Sequence, residues 1–205
     1  MSFWDTPAAA KAKAIVARYP EPRSAVMPLL YLAMFEDGRL TDDGVRRVAG
    51  ATGMTSVQVE SVASFYSMYK RGPVGDYVVS VCHSIACHLL GASAVLEAVA
   101  DETGVPAGET GTDGVFTVEH VECIGACGGA PAAQVNYEMV EGLTPDKARE
   151  MCRWLRDESP DLVNADEMQE RFGGRRSFDW GPADSEGAIG PIPAFGPYGT
   201  AGGGG

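Results

Sequence analysis

Along residues 1–72 the apolar positions recur every three to four residues, the spacing of helix faces turned toward a core. Met27, Leu30, Tyr31 and Met34 form one such stripe, with Ser24 placed as N-cap and Pro28 in the first turn, where a missing N–H does least harm. Gly38 closes that helix. Thr41 opens the next one, with Asp42 and Asp43 near its positive end and Val45, Val48 and Ala49 on its apolar face. Thr55 and Gln58 make a capping box ahead of Val59, Val62, Ala63 and Tyr66. With an opening helix through Ala12 to Tyr19, this stretch reads as a helical bundle.

The period changes after residue 75. DYVVSVC (76–82) is a short valine-rich run, the pattern of a buried strand. A helix follows with Leu89, Ala92, Leu96 and Val99 on one face, ending before Gly104. TDG (112–114) is a turn, and FTVEHVEC (116–123) alternates as a strand does. AAQVN (132–136) and EMVEGL (138–143) read as a hairpin. Thr144 then caps a last helix, with Pro145 at its favoured first position. Residues 75–157 thus run β-α-β-β-β-α, the order of a thioredoxin-like domain, although many α/β folds begin in the same way.

Periodicity is lost from residue 158. Residues 172–205 hold eleven glycines and four prolines, and residues 157–205 carry nine acids against three arginines. Such a composition offsets little ordering entropy and predicts an acidic tail over 158–205, disordered or bound to a partner. Phe178, Trp180, Phe195 and Tyr198 are its candidate anchors.

Composition narrows the function classes. A formal net charge of −12 argues against a nucleic-acid surface and against docking on anionic lipid. No apolar run approaches the length of a membrane span, so direct insertion is not expected. The opening residues lack a secretory pattern, and Asp5 makes them a poor transit peptide. An intracellular, reducing setting follows, where paired cysteines point to metal or redox chemistry.

Four of the five cysteines fall in two tight pairs, Cys82 with Cys87 and Cys123 with Cys127. Each pair begins where a predicted strand ends. A right-handed strand–helix–strand crossover returns the chain parallel, so both strand ends reach the same edge of the sheet. Thirty-five residues of separation then become a short distance, and four thiols converge. Three chemistries suit them. A 2Fe-2S cluster takes two thiolates on each iron, and Gly125, Gly128 and Gly129 would let backbone approach the sulfurs. Structural zinc prefers shorter knuckles but tolerates these spacings. A redox dithiol usually needs C-x-x-C, which neither pair has. Cys152 lies on a helix with Ala148, Met151 and Leu155 and reads as core. His83, His88 and His120 flank the pairs. Ligation by histidine requires two of them to replace two cysteines on one iron, so they read as surface or supporting groups. Phe65, Tyr66, Met68 and Tyr69 are either a contact face or helix packing.

The stretches VASFYSMY (62–69), GDYVVSVCHSIACHLLGA (75–92), VFTVEHVECIGACGGAPAAQVN (115–136) and LTPDKARE (143–150) together resemble the NuoE family, the thioredoxin-like 2Fe-2S subunit of NADH:quinone oxidoreductase, respiratory complex I. The resemblance covers about residues 15 to 155 and includes the cysteine spacing; the acidic tail and the GGAP loop depart from it. It implies a 2Fe-2S cluster on Cys82, Cys87, Cys123 and Cys127, exchanging single electrons with the FMN of a partner flavoprotein that binds NADH. It also implies other peripheral-arm subunits as partners and a cytoplasmic place on the inner face of the membrane. No G-x-G-x-x-G follows a strand, so NADH oxidation by this chain alone is not expected. The same motifs would serve the diaphorase part of an NAD-linked hydrogenase or a formate dehydrogenase. A zinc-stapled interaction module without redox function is the reading from a different class.

Overall fold

The structure is a computed structural model and describes residues 4–178. Its contacts divide into two units, one reaching Pro73 and a second beginning at Val74. The first unit packs α1 (Ala9–Val16), α2 (Val26–Asp37), α3 (Asp42–Thr52) and α4 (Ser56–Phe65) around Trp4, Ile15, Leu29, Leu30, Val48 and Val59. α2 is the central helix because its apolar residues surround it: Val26, Leu29, Leu30, Leu32, Ala33 and Met34 are all buried. Thr41 accepts from the Gly44 N–H at 2.9 Å, and the Thr55–Gln58 capping box is formed in both directions.

Two local expectations are corrected here. Ser24 does not cap α2. It lies inside a 3-10 turn, Pro22–Ala25, that runs straight into the helix, so the first donors are met by backbone rather than by a hydroxyl. The opening helix spans Ala9–Val16 rather than 12–19. Arg18 and Tyr19 donate three residues back, to Ile15 and Val16, because the chain tightens ahead of Pro20.

The second unit is a five-stranded sheet of order β2-β3-β1-β4-β5, the thioredoxin-like arrangement expected. Its strands are β1 (Tyr77–Cys82), β2 (Glu109–Thr110), β3 (Phe116–Val121), β4 (Ala132–Val135) and β5 (Glu138–Glu141). β1 is central and buried at every position. It pairs parallel with β3, from Tyr77 opposite Phe116 to Cys82 opposite Val121, and antiparallel with β4. The hairpin between β4 and β5 turns on Asn136 and Tyr137, both at positive φ, as a two-residue turn of matching twist requires. Asn136 also locks the hairpin to β1: its Oδ1 accepts from Val78 N–H and its Nδ2 donates to Asp76 O, each at 2.8 Å.

The crossover holds two helices rather than one, α5 (Ile85–Leu89) and α6 (Ala92–Thr103), separated at Gly91 with φ +101°. The break rotates the face. Ala92, Val95 and Val99 are buried, whereas Leu89, expected on the core side, is 76% exposed. α7 (Pro145–Glu158) starts at Thr144 and Pro145 and lies against α6, where Arg149 donates to Ala98 O at 3.0 Å.

The tail expected from residue 158 also needs correction. Residues Ala165–Phe172 form α8, capped by Asn164, with Val163, Met168 and Phe172 buried. The Phe172 ring sits 5.6 Å from that of Trp154. Gln169 is buried and reads the edge of β5 with its amide, accepting from Glu141 N–H at 2.8 Å and donating to Glu141 O at 3.2 Å. Phe178 is exposed, and the other anchors proposed for the tail, Trp180, Phe195 and Tyr198, lie outside the described residues.

Because Met168 is wholly buried, Met168→Ala is expected to cost about 2–5 kcal/mol, read as a shift of the denaturant midpoint of the metal-free chain. A midpoint within error of the parent would remove α8 from the core.

Candidate metal centre

The parallel pairing of β1 and β3 sets the site. Cys82 is the last residue of β1 and stands opposite Val121, the last of β3. His83 N–H continues the ladder to Val121 O at 2.8 Å. The chain then turns at Ser84 into α5, whose third residue is Cys87. On the neighbouring strand the chain leaves β3 through Cys123, turns at Gly125 with φ +87°, and enters a 3-10 turn at Cys127. A cis Ala130–Pro131 bond leads into β4. All four cysteines therefore emerge at one end of the sheet.

The sulfurs are arranged two and two. Cys123 Sγ and Cys127 Sγ are 3.5 Å apart, and both residues are exposed. Cys82 and Cys87 are both buried, and the Cys82 thiol is among the neighbours that act on Cys87. Burial pushes the Cys87 thiol up to about 11; the Ala132 N–H opposes this, and the Cys82 thiol adds to it. The Cys127 thiol is raised chiefly by its hydrogen bond and charge interaction with Cys123. The pairs also feel each other, Cys87 responding to Cys127 and Cys127 to Cys82. Among the described residues, no three His, Cys, Asp or Glu side chains gather as a single-ion site.

This donor set fits a 2Fe-2S group, which takes two thiolates on each of two irons. The thiols must lose their protons when metal binds, and the Ala132 N–H already directed at Cys87 favours the thiolate form. A lone zinc ion would need all four sulfurs in one tetrahedron, a different arrangement from two separate pairs.

The other candidates fall elsewhere. Cys152 is buried in α7 among Ala148, Met151 and Leu155, and burial pushes its thiol up to about 12. The rings of His83 and His88 are 4.9 Å apart, and a nitrogen of each approaches Ser93 Oγ, at 3.3 and 3.5 Å; His120 lies 6.2 Å from His83. All three histidines are exposed. Of the aromatic stripe in the first unit, Tyr69 is buried 5.1 Å from the Tyr31 ring, while Phe65 is 81% exposed.

Sequence reasoning missed two features. Ile85, Leu89 and Leu90 form an exposed apolar patch around Cys87, visible only once the break at Gly91 is known. The glycines after Cys127 have a reason other than room for sulfur. A Cβ on Gly128 would press on Ser177, and one on Gly129 would stand 2.6 Å from Arg175 O. Backbone from residues 173–178 crosses this loop.

The family model for thioredoxin-like [2Fe-2S] ferredoxin matches residues 12–156. Among curated relatives, the chain is 44% identical over 149 residues to an NADH-quinone oxidoreductase subunit from Mycobacterium tuberculosis, covering 73% of this chain and 59% of that protein. It is 38% identical over 143 residues to NADH-quinone oxidoreductase subunit 2 of Thermus thermophilus, covering 68% and 79%. The match thus spans about three fifths of the mycobacterial relative. Among solved structures, an NAD+-reducing [NiFe]-hydrogenase in the H2-reduced state superimposes with a TM-score of 0.57 at 19% identity, over 71% of this chain and 25% of that one. That likeness shows the fold alone.

Exposure predicts the order of thiol labelling in the metal-free chain. At about pH 8, iodoacetamide should modify Cys123 and Cys127 well before Cys82, Cys87 and Cys152, because the buried thiols are shielded and Cys87 and Cys152 stay protonated. Peptide mass spectrometry reads the order, and early labelling of Cys87 would contradict it.

Proposed function

The chain belongs to the thioredoxin-like [2Fe-2S] ferredoxin family, and we propose that it is the one-electron carrier subunit of an NADH-quinone oxidoreductase, respiratory complex I. The observation that carries this reading is the grouping of thiols into two pairs at the end of β1 and β3. Cys82 and Cys87 would hold one iron of a 2Fe-2S cluster, and Cys123 and Cys127 the other. When bound, such a cluster supplies single-electron exchange, which a hydride donor such as NADH cannot use without a flavin between them.

The chain's own residues then have defined tasks. The four cysteines bind, and the β1–β3 register orients them. The buried Cys82–Cys87 side keeps water from half of the site. The Ala132 N–H offsets negative charge at Cys87. FMN and NADH are assigned to a partner flavoprotein, with other peripheral-arm subunits beyond it, on the inner face of the membrane. Among the described residues no helix is long and apolar enough to cross a membrane. The exposed Ile85, Leu89 and Leu90 beside Cys87 give such a partner an apolar surface. In domain terms, residues 1–72 are assigned as a helical part and the stretch from 75 as the cluster-bearing part. The same motifs would serve the diaphorase part of an NAD-linked hydrogenase or a formate dehydrogenase, and the partner that co-purifies with the chain decides among them.

Protein prepared anaerobically is expected to carry two irons and two acid-labile sulfides per chain. Cys123→Ser should bleach it, while Cys152→Ala should keep the visible spectrum and lose only packing energy. NADH alone should leave the spectrum unchanged; adding the flavoprotein should open reduction, read by low-temperature EPR. Stoichiometric zinc without iron, from iron-replete cells, would sink the cluster. Prompt reduction by NADH without any flavin would overturn the division of labour.

A further inference from the structure

The cluster loop is held from outside by the C-terminal segment that follows α8. Gly129 N–H donates to Ser177 Oγ at 2.8 Å, a closer acceptor than Ala126 O at 3.2 Å. Ser177 N–H donates to Glu141 Oε2 at 2.7 Å, and that glutamate is only 4% exposed at the end of β5. Gly174 N–H donates to Glu141 O at 2.8 Å, and Gln169 Nε2 donates to Gly174 O at 3.1 Å. Arg176 reaches back to Asp166 of α8 at 3.2 Å. Residues 173–178 are therefore fastened at β5 and α8 and rest on Gly128 and Gly129, directly after Cys127.

Glycine is required at position 129 for this contact, and a side chain at 128 would crowd Ser177. A Cβ at Gly129 would lie 2.1 Å from Glu141 Oε2 and 2.6 Å from Arg175 O; at Gly128 it would lie 3.2 Å from Ser177 Cα. α8 and this segment lie beyond residues 12–156, where the family model matches.

We propose that residues 173–178 are a strap that holds the Cys127 loop in its ligand-ready shape, with Ser177 as the positioning residue. Ser177 acts through the Gly129 N–H, two residues from Cys127. It keeps the loop from opening and so sets the orientation of one thiolate. The inference rests on the cluster reading above. It adds that this chain stabilises its site with residues outside the family's matched region.

The test uses the full-length chain with Ser177→Ala and Gly128→Ala, and Arg153→Ala at a remote surface ion pair as control. In metal-free protein, amide exchange at Gly129 should quicken several-fold to about tenfold in Ser177→Ala, the range for loss of one hydrogen bond. In iron-loaded protein, both strap variants should release iron to a chelator several-fold faster and shift the EPR signature of the reduced site. Arg153→Ala should match the parent in all three. Unchanged Gly129 exchange would overturn the strap. So would faster exchange with parental iron release and EPR, since the contact would then be structural only. If the parent chain takes up no iron, the cluster reading fails, while the Gly129 exchange still decides whether the strap holds the loop.

Discussion

The parallel register of β1 on β3 is the constraint on which the site depends. Adjacent strands lie about 4.8 Å apart, so pairing Cys82 with Val121 brings two chain exits within one strand spacing. Each exit then needs only a few residues to present a second thiol. A one-residue slip would send every side chain to the opposite face, exchanging Val81 and Cys82 between core and site. Burial prevents the slip. All six residues of β1 are buried, Phe116 at the start of β3 is wholly so, and its ring lies 5.9 Å from that of Tyr77. The core therefore enforces the register, and the register places the sulfurs.

A second chain of dependence runs along the other side of the sheet. β4 pairs with β1, and β5 with β4, so the hairpin inherits its position from the central strand. Asn136 fixes the turn end of that hairpin. Its other end carries Glu141, whose backbone is read by Gln169 and whose carboxylate receives Ser177. β5 would otherwise present an open edge, and α8 covers it with a side-chain amide instead of a further strand. The contacts that protect this edge are continuous with those that hold the Cys127 loop.

These two chains differ in how far the sequence announces them. Thr41, the Thr55–Gln58 box and the Thr144–Pro145 start are local signals, and each forms as expected. The cysteine pairs were legible because their chemistry resides in residue type and spacing. α8 was not, because its apolar residues are few and its acids dominate the segment; Met168 and Phe172 become a face only when α7 and β5 supply the rest of the core. The break between α5 and α6 was hidden because the apolar run continues through it. Ser177 lies forty-eight residues from Gly129, and Gln169 twenty-eight from Glu141, so no short window contains either pair. The glycines at 128 and 129 were visible, but their reason was a distant segment that no local pattern aligns with them.

Electrostatics near the thiols can be ranked in the same physical terms. The chain has 28 acids against 16 Lys and Arg, a poor background for gathering four thiolates. The strap lays the backbone of Arg175 against Gly129, while the Arg176 side chain turns to Asp166 of α8. Both arginines are exposed, and Arg176 is already shared with Asp166. Charges in that position are screened beyond about 8–10 Å at ordinary ionic strength and weaken further with salt. The Ala132 N–H works under different conditions. It is directed at a buried sulfur, where screening is weak and a fixed dipole needs no reorganisation. At Cys87 this backbone donor is what opposes the effect of burial. Cys123 and Cys127 are exposed, so water reaches them directly. The two halves of the site thus differ, the inner one meeting a fixed backbone dipole at Cys87 and the outer one meeting water.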